Sequence, residues 1–185
     1  MLEIAILGFL HERPMHGYEL RKRLASLLGT FRAFSYGSLY PTLRRLAEAG
    51  LISEEAPELA PPSPGRSRRA RRVYRLTAEG KEHFAQLLEH VGPDAFDDEG
   101  FGARLAFFAR TRSEIRLAIL EGRRRRVEEK RDGMRRASAG VRLDRYTQML
   151  HEHGLESVDR EVRWLTELIE QERHDVVPPT PKEKP

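Results

Sequence analysis

The chain has 185 residues, a charged fraction of 34% and a mean hydropathy of −0.62, which predicts a soluble protein of one compact domain plus an extension. It contains no cysteine, which excludes a disulfide framework, thiol catalysis and a zinc finger. The formal net charge is only +4, but residues 1–90 hold 14 Lys/Arg against 10 Asp/Glu while residues 91–185 hold 19 of each. The whole excess lies in the first half, which favours a polyanionic partner for that half.

Residues 1–10 are almost wholly apolar, lack a basic start and run directly into His11-Glu12-Arg13-Pro14. That is too short for a bilayer span and poorly built for a signal peptide, so it predicts a buried first helix. His16-Gly17-Tyr18-Glu19-Leu20 opens a second helix with an apolar stripe at Leu20, Leu24, Leu27 and Leu28, and Gly29 as its stop. A third helix follows in Ser38-Leu39-Tyr40-Pro41-Thr42-Leu43-Arg44-Arg45-Leu46, with Leu39, Leu43 and Leu46 at i, i+4, i+7. Its N-cap is expected at Ser35 or Ser38. Pro41 fits its first turn and Gly50 the left-handed position beyond its end. The outward residues of this helix are hydroxyls and guanidiniums, the groups that read base edges and grip phosphates. Three short helices in this order predict a helix-turn-helix.

Leu51-Ile52-Ser53-Glu54 reads as a strand and Val73-Tyr74-Arg75-Leu76-Thr77 as its return. Between them lie a Pro/Ser/Gly-rich segment and the run Arg66-Ser67-Arg68-Arg69-Ala70-Arg71-Arg72, a basic tip on a two-stranded wing. Thr77 is placed to cap a fourth helix with its stripe at Phe84, Leu87, Leu88 and Val91. Residues 92–100 are turn-rich and acidic and read as a linker, and Phe101, Leu105, Phe107 and Phe108 are expected at a hinge between the halves. Thr111 and Glu114 have capping-box spacing for a long helix carrying Leu117, Leu120, Val127 and Met134. In that helix Glu128 and Glu129 stand four residues after Arg124 and Arg125, which makes the arginine run a paired surface rather than a nucleic-acid patch. Ala139-Gly140 reads as a turn. The last helix carries Leu155, Val158, Val162, Leu165 and Ile169, a 3,4,3,4 seam for another helix, with Gly154 breaking the helix ahead of it. The Pro- and Lys-rich end from Asp175 reads as disordered.

His16-Gly17-Tyr18-Glu19-Leu20, Gly37 through Leu46, Ala49-Gly50-Leu51-Ile52, and Gly65-Arg66 leading to Val73-Tyr74-Arg75-Leu76-Thr77-Ala78-Glu79-Gly80-Lys81 together resemble the PadR-like transcriptional regulators. The resemblance covers most of the first half. It implies a winged-helix DNA-binding domain, a helical C-terminal dimerisation arm, and repression relieved by a small molecule or another signal. One departure stands in the wing, where that family often has Gly-Arg-Pro closely followed by the second strand. Here Ser67 replaces the proline, arginines are inserted, and the preceding loop is longer.

The expected fold is therefore mainly α with a small β-hairpin wing. It divides into a winged helix-turn-helix domain over residues 1–91, a hinge over 92–110, a helical dimerisation domain over 111–174 and a tail over 175–185. The expected function is that of a homodimeric, sequence-specific repressor, cytoplasmic, acting on an inverted-repeat operator in double-stranded DNA. Ser38, Tyr40, Pro41, Thr42, Arg44 and Arg45 are assigned to the major groove. Tyr18, Arg21 and Lys22, with Arg68, Arg69, Arg71 and Arg72 of the wing, are assigned to phosphates. Leu155, Val158, Val162, Leu165 and Ile169 are the expected dimer interface. An effector pocket, which the resemblance implies lies between the halves or in the dimer groove, would include Phe101, Phe107, Phe108 and Trp164. No metal, cofactor or catalytic residue is expected. His151 and His153 diverge on a helix, and no G-x-S-x-G, Walker or dinucleotide loop occurs. The competing reading is an effector-binding or protein-interaction module that retains a winged-helix fold without strong DNA binding.

Overall fold

The computed structural model describes residues 1–28, 36–55, 72–140 and 142–176. The chain forms two compact units, Met1–His90 with Asp98–Thr111, and Val91–Asp97 with Arg112–Pro185. Gly29, Ser35 and the run from Arg66 to Arg71 lie outside the described residues. Among the described residues no helix is long and apolar enough to cross a membrane.

The first unit is built on α1 (Leu2–Glu12), in which every residue from Ile4 to Leu10 is buried. A helix apolar on all sides needs neighbours on all sides. Here α2 (Gly17–Leu28), α3 (Leu39–Glu48), α4 (Ala78–Glu89), α6 (Asp98–Leu105) and the sheet surround it. Leu20 and Leu24 of α2 and Leu39, Leu43 and Leu46 of α3 point into this core, as their spacing predicts. The chain leaves α3 through Gly50, whose φ of +72° is the left-handed conformation expected of it. Ser38 stands at the N-cap of α3, but its side chain makes no capping bond. Its carbonyl instead accepts from the Thr42 hydroxyl at 2.8 Å.

The sheet has three antiparallel strands rather than two. Between β2 (Ile52–Glu55) and β1 (Met15–His16) runs β3 (Val73–Leu76), with Ile52 opposite Leu76 and Met15 opposite Tyr74. β1 is two residues long, too short for any alternation to show in the sequence. The helix expected to open at His16 therefore starts at Gly17. Thr77 caps α4 as predicted, its hydroxyl accepting from the Gly80 amide at 3.0 Å, and it also donates to the Gly50 carbonyl at 2.8 Å. Gly80 packs against the Leu51 carbonyl, where a β-carbon would collide with the oxygen. Val91, expected on the α4 stripe, lies beyond the helix end and is exposed.

Residues 92–110 hold helices rather than a plain linker. α5 (Pro93–Phe96) begins on Pro93 at a first-turn position, and α6 follows with Asp98 and Glu99 in its own first turn. Proline and acidic side chains favour helix N-termini as much as turns. α6 adds Phe101 and Ala103 to the buried residues of the first unit. Just beyond it, Phe107 lies over Gly8 and edge-on to Phe9 and Phe84, at ring separations of 6.0 and 5.5 Å.

The second unit is an antiparallel helical hairpin, α7 (Ser113–Ser138) and α8 (Arg145–Val176), with α5 against α7. Arg112, not Thr111, stands at the N-cap of α7 and makes no side-chain cap, while the Thr111 hydroxyl donates to the Phe107 carbonyl. Gly140 turns the chain at φ +77°. Asp144 starts α8 by accepting from the Tyr146 and Thr147 amides at 2.9 and 3.2 Å. The Thr147 hydroxyl holds its carboxyl below the usual range, and these two amides add to the effect. α8 runs unbroken through Gly154. Arg123, buried on α7, donates to Glu161 at 2.5 Å and to the Phe96 carbonyl at 3.0 Å. Arg116 pairs with Glu172 at 2.7 Å, and Arg124 faces Glu128 as its spacing predicts.

Candidate nucleic-acid interface

With Leu39, Leu43 and Leu46 inside, α3 has one surface left for solvent. Ser38, Pro41, Arg44 and Arg45 are exposed on it, and Tyr40 and Thr42 are half-buried. These are the six residues assigned to the major groove: α3 carries five of them, and Ser38 stands at its N-cap. On α2, Tyr18 is 65% exposed and Arg21 and Lys22 are exposed beside it. Two other cations of this region are engaged: Arg13 pairs with Glu19, and Arg23 with Glu12 at 2.6 Å. Helix α3 and the sheet enclose a cleft of about 400 Å³, bordered by Tyr40, Arg44, Arg45, Glu54, Arg72 and Tyr74.

Charge in and around this cleft is less one-sided than the sequence suggests. Arg72, assigned to the wing, pairs with Glu54 of the adjacent strand. Arg75 binds Glu55 at 2.9 Å, and that hydrogen bond and charge hold the Glu55 carboxyl below its ordinary range and raise the guanidinium. Arg45 donates to Glu3 of α1 at 2.6 Å, and the second Glu3 oxygen meets His83 Nε2 of α4 at 2.7 Å. Burial pushes the Glu3 carboxyl up, but the hydrogen bonds and charges of Arg45 and His83 outweigh it and the net direction is down. Among the described residues, Arg44 and Lys22 have no acidic partner. Arg68, Arg69 and Arg71 lie outside the described residues.

Sequence reasoning missed the acidic partners Glu3, Glu54 and Glu55, as well as His83. For Glu3 there was a signal, since it is the only acidic residue of α1 before Glu12 and stands among apolar neighbours. Such a carboxylate needs a cation.

The remaining assignments fall differently. Of the expected seam on α8, Val158, Leu165 and Ile169 are buried within the single chain, and Leu155 and Val162 are half-buried. Their cover is α7 of the same chain. Phe101 and Phe107 are buried in the first unit and Phe108 is half-buried there, while Trp164, 37% exposed, belongs to the second.

Among solved structures, Bacillus subtilis PadR in complex with operator DNA is 19% identical, with 92% of this chain and 98% of that one covered at a TM-score of 0.44. The structure of smu.1604c from Streptococcus mutans UA159 is 25% identical, with 90% and 97% covered at a TM-score of 0.44. The curated negative transcriptional regulator PadR of Bacillus subtilis (strain 168) is 27% identical over 101 residues, 54% of this chain and 52% of that protein. The chain thus spans about half the length of the curated relative it matches. Residues 6–86, from the first helix through α4, match the model of the transcriptional regulator PadR-like family. The matched segment holds the three helices and the three-stranded sheet, with the polar face of α3 exposed, so residues 6–86 are similar to the PadR-like family of transcriptional regulators.

Proposed function

We propose that this protein is a sequence-specific DNA-binding repressor, with its first unit on the DNA and its second unit carrying dimerisation. The observation that carries the reading is the face of α3. A helix held inward by three leucines offers Thr42, Arg44 and the Tyr40 edge to solvent, with Arg21 and Lys22 of α2 on the same unit. Such a helix fits the major groove with its flanking cations on phosphates. Two copies reading half-sites about 34 Å apart require an inverted repeat, and a closed two-fold pair is the commonest homo-oligomer. The protein then acts in the cytoplasm, where its duplex is.

Selection of duplexes from a random library by the full chain tests this. An inverted repeat should emerge, and log affinity should fall with log salt by roughly 0.9 per phosphate neutralised. Replacing Arg68, Arg69 and Arg71 by alanine should flatten that slope and leave the preferred sequence intact. An enriched pool no different from the starting one would end the DNA reading and leave the effector-binding module.

The similarity of residues 6–86 to that family extends the proposal to control by a small molecule. Trp164 is the only tryptophan and is part-exposed, so its fluorescence reports binding near α8. A metabolite that shifts its emission and weakens duplex binding is the expected effector, because a ligand releases DNA only by preferring the non-binding state. Compounds that shift the emission without altering duplex affinity would argue for control by protein level or a partner.

A further inference from the structure

Arg44 and Arg45 are neighbours on α3, and residue type gives no reason to separate them. Their surroundings do. Arg44 is exposed, borders the cleft shared with β3, and has no acidic partner among the described residues. Arg45 also borders that cleft, but its guanidinium is bound to Glu3 at 2.6 Å. Glu3 is the less exposed of the two, with its side chain 22% accessible against 62% for Arg45. If Arg45 turned to DNA, a largely covered carboxylate would be left with His83 alone, and partly buried charges that lose a partner are strongly disfavoured.

We propose that the two arginines have separate tasks: Arg44 meets the DNA, and Arg45 is a positioning residue that, through Glu3, fixes the rotation of α3 on α1 and α4. This division rests on the DNA-binding reading above. Three leucines hold α3 inward, but apolar contacts are non-directional. A charged hydrogen bond is directional and short, and Glu3 uses one oxygen for α3 and the other for α4. The geometric stake is large. A rotation of α3 by about 20° moves side-chain tips lying ~6 Å from its axis by about 2 Å. That is enough to break any base-edge hydrogen bond, which tolerates only a few tenths of an ångström. Glu3 therefore influences DNA reading without touching DNA.

The test uses the full chain and a duplex selected from a random library by the wild type. Affinities are measured for Arg44→Ala, Arg45→Ala, Arg45→Lys, Glu3→Ala and the double variant Glu3→Ala with Arg45→Ala, over a salt series and a set of single-base-pair changes. Arg44→Ala should lose about tenfold or more in affinity, with preference lost at one or two base pairs, and should melt as the wild type does. Glu3→Ala and Arg45→Ala should each weaken binding by a similar factor. Their losses should be spread evenly over the base pairs, leave the salt slope at its wild-type value, and fail to add in the double variant. Arg45→Lys, which still reaches Glu3 with an N–H, should recover most of the loss. The proposal is overturned if Arg45→Ala erases preference at a particular base pair or lowers the salt slope while Glu3→Ala does neither. Wild-type selectivity in Arg44→Ala overturns it as well. If the wild type selects no duplex, the DNA-binding reading fails, and thermal melting of Glu3→Ala, Arg45→Ala and the double variant then decides the tie alone: a coupling between the two near zero overturns it.

Discussion

Replacing Leu165 with aspartate is expected to unfold the α7–α8 hairpin, not to release two intact protomers. Leu165 is fully buried inside one chain, midway along the stripe from Val158 to Ile169 that α7 covers. A carboxylate there must either lose its solvation or open the hairpin, at a cost above about 4 kcal/mol. Leu165→Ala, which removes only packing, should cost about 2–5 kcal/mol. Circular dichroism melting of the full chain should show the helical signal of the second unit lost at low temperature in Leu165→Asp. Association is probed instead at the half-buried positions. Val162→Asp or Leu155→Asp should keep the melting profile close to that of the wild type, and in a dimer joined along this helix should shift sedimentation toward the monomer. A Leu165→Asp protein that melts like the wild type but sediments as a smaller species would place Leu165 in the dimer interface.

That outcome bears on what the sequence could and could not reveal. A 3,4,3,4 progression reports that a helix packs against another helix and is silent on whether the partner is in the same chain. Charges that the periodicity ignores tie α8 to a helix of its own chain: Arg116 with Glu172 and Arg123 with Glu161 bind α7 and α8 to each other. Arg123 looked like one member of an exposed basic run, yet it is buried and also anchors the Phe96 carbonyl. Gly154 looked like a helix breaker, but a glycine inside a helix costs only about 1 kcal/mol and a 32-residue helix absorbs it.

In the first unit, features set by local chemistry were legible: the leucine stripes, Gly50 at positive φ, Thr77 as the cap of α4. What escaped was set by distant partners. β1 exists because β3 pairs with it, and no two-residue strand announces itself. Ser38 has the right type for a cap, but its backbone enters α3 from a 3-10 turn with helical dihedrals instead of the extended ones of a capping residue, and no cap bond forms. At the interface, the side-chain types on α3 were readable from the sequence. Which of its arginines is held by an acid was not, because Glu3 lies 42 residues away from Arg45.

The same substitution at two helical glycines is expected to act with opposite sign. In a solvent-exposed helix Gly→Ala is stabilising by roughly 0.5–1 kcal/mol, because alanine is the better helix former and restricts the unfolded chain. Gly133 of α7 has open space where a β-carbon would go, so Gly133→Ala should follow that rule. Gly80 of α4 does not have that space. A β-carbon there falls on the Leu51 carbonyl oxygen and crowds the Leu76 side chain, and the carbonyl is backbone that cannot swing aside. The same carbonyl accepts from the Thr77 amide at 3.2 Å and from its hydroxyl at 3.0 Å, so moving it loosens the cap of α4 as well. Overpacking of this kind costs about 1–3 kcal/mol, which exceeds the propensity gain, and Gly80→Val should cost more than Gly80→Ala. For a unit of this size each kcal/mol corresponds to about 4–8 °C in Tm. Gly80→Ala should thus lower the melting temperature of the first unit by several degrees and weaken duplex binding, because Leu51 leads directly into the wing strand β2. Gly133→Ala should raise the melting temperature of the hairpin and leave binding unchanged. A Gly80→Ala protein as stable as the wild type would show that α4 can slide on the wing base without loss, and that the glycine in Thr77-Ala78-Glu79-Gly80 is not held there by packing.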